Sequence, residues 1–175
     1  MGDSIENVKQ QYIETIKSMH FVWRQSNGYV EMVWMLSIGI MLDIEEVEFL
    51  KLVDLVKRDN PGDFLIDFLI KSRIQSWEQH QDFKFPNPYK TTKEIVDLAQ
   101  HDRNSAVEKL KFYLQKEWYR GHSDMGWYND HKSKWNIHTG YWSFESGALV
   151  KILGLDDSAL KNQQYYPYDL VHWKS

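Results

Sequence analysis

The sequence contains no cysteine. That absence excludes disulfides, thiolate nucleophiles, iron–sulfur clusters and cysteine-ligated zinc, and it suits a reducing compartment. A basic surplus is missing too. Lys and Arg number 21 against 25 Asp and Glu, a net charge of −4, so there is no overall basic field for nucleic acid or an anionic membrane. Long apolar runs are also lacking. The longest, Met32 to Leu42, is eleven residues with Ser37 inside it, too short for a bilayer and suited to a buried helix. Met1 to Lys9 holds Asp3 and Glu6 without a basic region before an apolar stretch, so no secretory leader is expected. No Walker pattern or Rossmann fingerprint occurs. Ser143, Ser146 and Gly147 do not form a nucleophile elbow, because no strand precedes them.

What is present is a chain of 175 residues, enough for one domain or two small ones and for a core that needs no staples. Hydrophobic content of 42% with 26% charged residues is globular rather than disordered. The punctuation is helical. Asp3 with Glu6 suits a capping box before Ile5, Val8, Tyr12, Ile16 and Met19 on one helical face. Asn27-Gly28 breaks the chain, and a second helix is expected over Tyr29 to Leu42. Asp43 with Glu46 repeats the box before Phe49, Leu52, Val53 and Val56.

Asn60-Pro61 would open a helix that is apolar around most of its girth from Phe64 to Ile74, with a polar stripe of Asp63, Asp67 and Lys71. It reads as the central, most buried helix. Residues 76–90 lack periodicity and hold Pro86 and Pro88, which suits a linker or long surface loop. Thr91 with Glu94, and Ser105 with Glu108, suit the starts of two more helices. Tyr141 to Leu153 reads as a helix ending at Gly154 as the C′ glycine. No strand alternation is visible. The expectation is an all-α protein of about seven helices in one compact body.

Without cysteine, histidine is the remaining soft metal ligand. His122, Asp124, His131 and His138 share one irregular segment, but no pair has the i, i+4 spacing of a zincin. His101-Asp102 also invites comparison with metal-dependent phosphohydrolases. Asp156-Asp157 would either bind Mg²⁺ or serve a turn, Asp157 capping at Ser158 with Asp156 solvated beside it. Acidity is local: residues 43–67 hold eight acidic and three basic groups. Glu45, Glu46 and Glu48 offer a face to a basic partner, and as first-turn carboxylates they also suit a helix dipole. Aromatics make up 15% of the chain, and 14 of the 26 lie in the last 75 residues. Tyr and Trp serve equally as core and as interface anchors, and those of Trp127 to Trp142 could pin an irregular loop to the body.

In that C-terminal part, Gly140-Tyr141-Trp142-Ser143-Phe144-Glu145, then Ala148 through Ser158, then Tyr165-Tyr166-Pro167-Tyr168-Asp169-Leu170-Val171-His172-Trp173, closely resemble the PoNi family, the immunity proteins of polymorphic nuclease toxins. Leu110 to Trp127 fits the same C-terminal domain, and Tyr29 to Ile74 resembles the end of the family's N-terminal domain. The resemblance divides the chain into a shortened N-terminal part at 1–75, a linker at 76–90 and a C-terminal domain at 91–175, together one unit. It implies a cytoplasmic protein without catalysis or cofactor that neutralises a cognate DNase toxin delivered by contact-dependent secretion, as in bacterial competition.

Chemistry then nominates partner-binding residues: the acids Glu45, Glu46, Glu48, Asp156 and Asp157, and the anchors Tyr165, Tyr166 and Tyr168. Glu145 and Asp169, set among apolar neighbours, are expected to be structural. Two alternatives stay open. One is a metal-dependent phosphohydrolase using His101, Asp102, His122 and His131. The other is an all-α adaptor for some other partner.

Overall fold

The run Met32 to Leu42 is apolar on every side, and a helix of that kind must be covered on every side. In the computed structural model, which describes residues 4–59, 62–135 and 140–174, this run lies in a helix that three others pack against. The helices are α1 (Ile5–Val22), α2 (Gln25–Met41), α3 (Glu46–Asp59), α4 (Phe64–Lys71), the short turn α5 (Pro86–Tyr89), α6 (Thr91–Ala99), α7 (Arg103–Phe112), α8 (Phe144–Leu153) and the short α9 (Tyr168–Val171). Seven of them have eight residues or more, and no strand occurs among the described residues, so the all-α expectation holds.

The hub differs from expectation. It is α2, packed against α3, α4 and α8; α4 ends at Lys71 and is as heavily buried as expected, with six of its eight residues inside, but it is not the hub. Gly28 breaks the start of α2 (φ −136°, ψ 19°), as the Asn27-Gly28 pair suggested. Close packing with α1 depends on Gly39: a Cβ there would lie 2.3 Å from the hydroxyl of Tyr12, which donates to the Met35 carbonyl at 2.9 Å.

The helix starts differ most from those expected. Asp3 and Asn60-Pro61 lie outside the described residues. Ser4 caps α1 by accepting from the Asn7 amide, and Asp63 caps α4 by accepting from the Leu65 and Ile66 amides. Asp43 caps nothing. It stands at φ 52° just beyond α2, where its amide meets the Ile40 carbonyl and the Ile44 amide meets that of Gly39, a Schellman ending built without glycine. Thr91 is the first residue of α6 and donates to Glu117 at 2.6 Å. Asp102, not Ser105, caps α7. Past Phe112 the helix widens into a π turn over Tyr113–Trp118.

In the polar stripe of α4 the two acids are buried and only Lys71 is exposed. Asp63 and Asp67 are 0% and 2% exposed. Asp67 accepts from the Trp77 indole (2.8 Å), the His80 amide (2.9 Å) and His80 Nδ1 (2.7 Å). Asp63 also accepts from the Tyr29 hydroxyl and the Lys84 amide. These two carboxylates strap the irregular segment 72–85 onto α4. The core has two main parts. One joins α1 to α4 with Tyr89 and Ala148, and the other joins α6, α7, the π turn and α8 with Leu160 and Tyr166 of the tail.

Candidate interaction surface

Aromatic residues dominate the irregular C-terminal region, and most of them are structural. Trp118 is fully buried and stacks on Trp127 at 5.8 Å between ring centres, while Trp127 also meets Trp34 and Tyr141. These contacts pin the loop after the π turn to the body, so Trp127 and Tyr141 take the role expected of that segment's aromatics, whereas Trp135 and Trp142 are exposed. Tyr165, at φ 71°, stacks on Tyr119 (5.4 Å) and lies tilted against Trp118 (4.9 Å), and its carbonyl accepts from the Ser143 amide at 2.8 Å. The tail is thereby tied to the start of α8.

Between the tail and α8 lies an open groove of about 680 Å³, walled by Trp142, Tyr165, Pro167 and Tyr168 and edged by Gln164 and Lys161. Trp142 is 46% exposed. Of the nominated anchors, Tyr165 and Tyr168 line this groove half-buried. Tyr166 also borders it but is itself buried, and its hydroxyl donates to Asp157. Asp157 is buried as well, with His172 Nε2 at 2.9 Å. Burial and this hydrogen bond push the Tyr166 hydroxyl well above its ordinary range.

Asp157 therefore ties the tail to itself, and its side chain does not cap the turn Ser158–Leu160. Asp156 performs that service, accepting from the Ser158 amide at 3.0 Å, which lowers its pKa. Asp169 is exposed rather than embedded. Glu145 is fully buried and takes hydrogen bonds from Tyr113 (2.9 Å) and Ser143 (2.7 Å), with burial raising its pKa.

The acids at the start of α3 stand elsewhere along the same tail. Beyond the groove the tail reaches α2 and Asp43: Trp173 donates to the Met41 carbonyl at 2.8 Å, and Lys174 pairs with Asp43 at 2.6 Å. Glu45 and Glu46 are exposed two and three residues further on, just before Val47, which is 59% exposed. Glu48 is half-buried and paired with Lys51 at 2.7 Å.

The histidines do not converge. Asp102 accepts from Ser105 Oγ and two amides of its own helix, which lowers its pKa. His122 is buried: Nδ1 donates to the Trp118 carbonyl at 2.6 Å, so Nε2 accepts from Tyr89 at 2.7 Å, and burial lowers its pKa. His131 meets the Tyr141 hydroxyl, and His138 lies outside the described residues. Among the described residues no three His, Asp or Glu side chains stand together as metal ligands.

Some surface features went unread in the sequence. Phe21 and Val22, at the end of α1, are 79% and 71% exposed, and Phe21 edges a shallow groove with Ile16 and Leu55. Both fall off the Ile5–Met19 stripe, which was the available signal. Trp135 is also exposed, and nothing local distinguished it from the buried Trp127.

No helix among the described residues is long and apolar enough to cross a membrane. No curated protein and no solved structure matches the chain. Two family models do. The N-terminal part of the PoNe immunity proteins (PoNi) matches residues 1–54, and the C-terminal part of the same proteins matches residues 62–170. Both parts occur once, in family order, and the second runs through the π turn, α8 and the groove-lining tail. The chain belongs to the PoNe immunity protein family.

Proposed function

We propose that the chain neutralises a cognate DNase toxin by stoichiometric binding in the cytoplasm, without catalysis of its own. The observation that carries this reading is the match to both parts of one immunity-protein family along a single chain. The surface supports it in two places. The groove beside Trp142, Tyr165 and Tyr168 offers aromatic area for desolvated contact. Glu45 and Glu46, exposed just before Val47, offer negative charge to a nuclease face shaped for phosphates. Glu48 and the exposed Asp156 contribute to the field, whereas Asp157 and Tyr166 act from inside by holding the tail.

Co-expression with the toxin tests the reading directly. Growth should be restored by the chain at full expression, and toxicity that persists would overturn the reading for that pair. On purified proteins, Glu45, Glu46 and Glu48 changed together to Lys should slow association at low ionic strength, and the effect should fade as salt is added. Trp142→Ala with Tyr168→Ala should instead speed dissociation, by a factor of about 30 or more if the pair is worth ~2 kcal/mol or more. An unchanged on-rate in the triple variant would reduce the acids to helix-end charges.

A further inference from the structure

Arg73 is the unusual cation of this molecule. It lies just past α4 with its guanidinium over the Phe49 ring, 4.8 Å from the centre. Its Nη1 is buried and finds no acceptor among the described protein atoms. That nitrogen is closed off, so a ligand in the adjoining concavity would meet the other guanidinium N–H groups, which no hydrogen bond or ion pair engages among the described residues. A charged donor without a partner calls most strongly for an anion. Arg73 lines a concavity of about 230 Å³ with Ile40, Asp43, Ser72, Lys151 and Ile152. That is several times the roughly 30 Å³ share of one water.

The local charge is positive. Lys151 spends one N–H on the Met41 carbonyl at 2.7 Å and keeps two. Lys9 sits over the Trp173 ring at 4.5 Å, and Lys174 pairs with Asp43. Burial lowers the pKa of Lys151, and repulsion from Lys174, Arg73 and Lys9 adds to the drop while Asp43 opposes it. Asp43 is the single carboxylate lining the pocket, and Lys174 already engages it. Glu48, next to Phe49 on α3, is engaged by Lys51.

We propose that this pocket binds a small oxyanion, a phosphate or a carboxylate, on the Arg73 guanidinium with Lys151 in support. Arg73 supplies the planar donor fork, stacked and preorganised on Phe49, and Lys151 supplies a point charge. The inference concerns the free chain and stands apart from toxin binding.

The test follows the Arg73 Nε–H signal by NMR in the free chain at low ionic strength, with inorganic phosphate in one titration and acetate in another. A saturable shift in the millimolar range is expected, about 1–10 mM. Asp43→Asn, which the left-handed backbone at that position tolerates, should tighten binding about fivefold by removing one repelling charge. Lys151→Met should weaken it by a similar factor. Saturation by phosphate alone assigns a tetrahedral anion, and saturation by acetate alone assigns a carboxylate. The proposal is overturned if neither anion saturates the signal below about 50 mM. It is equally overturned if the Asp43 and Lys151 variants bind as the unaltered chain does. Both substitutions lie at exposed positions, and thermal unfolding of each variant, expected within a few degrees of the unaltered chain, ensures that intact folds are compared.

Discussion

Asp67 places an ionisable group in the apolar face of α4, and the structure shows why it is tolerated there. Its carboxylate receives three donors from the strap segment, from Trp77 and His80. Asp67→Ala should leave those donors unpaired and free the strap, at a cost of about 3 kcal/mol. Urea unfolding measures the cost, and hydrogen exchange at the His80 amide should speed up; protection that stays unchanged would sink the strap account.

Two histidines give the stability opposite pH slopes. Asp67 raises the pKa of His80, so its contribution is full below the ordinary histidine value near ~6.5 and is lost as pH rises through the raised value. Burial depresses His122, so its contribution is full above ~6.5 and is lost as pH falls through the lowered value. Protonating His122 would also turn Nε2 from an acceptor of the Tyr89 hydroxyl into a competing donor. Unfolding free energies measured at a series of pH values should lose their alkaline decline in His80→Asn and their acid decline in His122→Asn. Equal slopes in both variants would contradict these assignments.

At the scale of elements, the apolar stripes of α1 and α3 were legible because helical periodicity needs only the chain itself. The capping residues were not. Ser4, Asp63 and Asp102 each stand beside another plausible cap, and which one wins depends on where the backbone leaves the helix. Asp43 illustrates the limit, since it looked like the start of α3 and instead ends α2 in a left-handed turn.

Gly39 is an element-scale device of another kind, a gap in α2 filled by the Tyr12 hydroxyl. Gly39→Ala gains up to ~1 kcal/mol of helix propensity and must displace that hydroxyl from the Met35 carbonyl. The displacement should win, with a net loss of about 1–3 kcal/mol in thermal or urea unfolding. A stabilised variant would show that α1 can shift away at little cost.

For the whole molecule, the question is whether the two family parts are separable. α2 belongs to the first and packs on α4 and α8 of the second. Gly147 in α8 sits so close that a Cβ would lie 2.4 Å from Met41 Sδ, and Lys151 and Trp173 both donate to the Met41 carbonyl. We expect a chain of residues 1–61 alone to show no cooperative unfolding, because the apolar faces of α2 would meet water. A sharp calorimetric transition in that fragment would refute a shared core.

The sequence by itself determined the helical class, the approximate number of helices and the family. Periodic apolar residues and a long C-terminal motif are written in neighbouring positions, and no packing is needed to see them. Tertiary structure alone decided which polar groups are inside. Tyr166 and Tyr168 look alike in the chain, yet one is buried against Asp157 and the other lines an open groove. Asp157 turns to residues nine and fifteen positions away, and Arg73 lies over a ring 24 positions before it. Burial of a charge depends on partners that folding brings together from distant positions, and no local pattern records them.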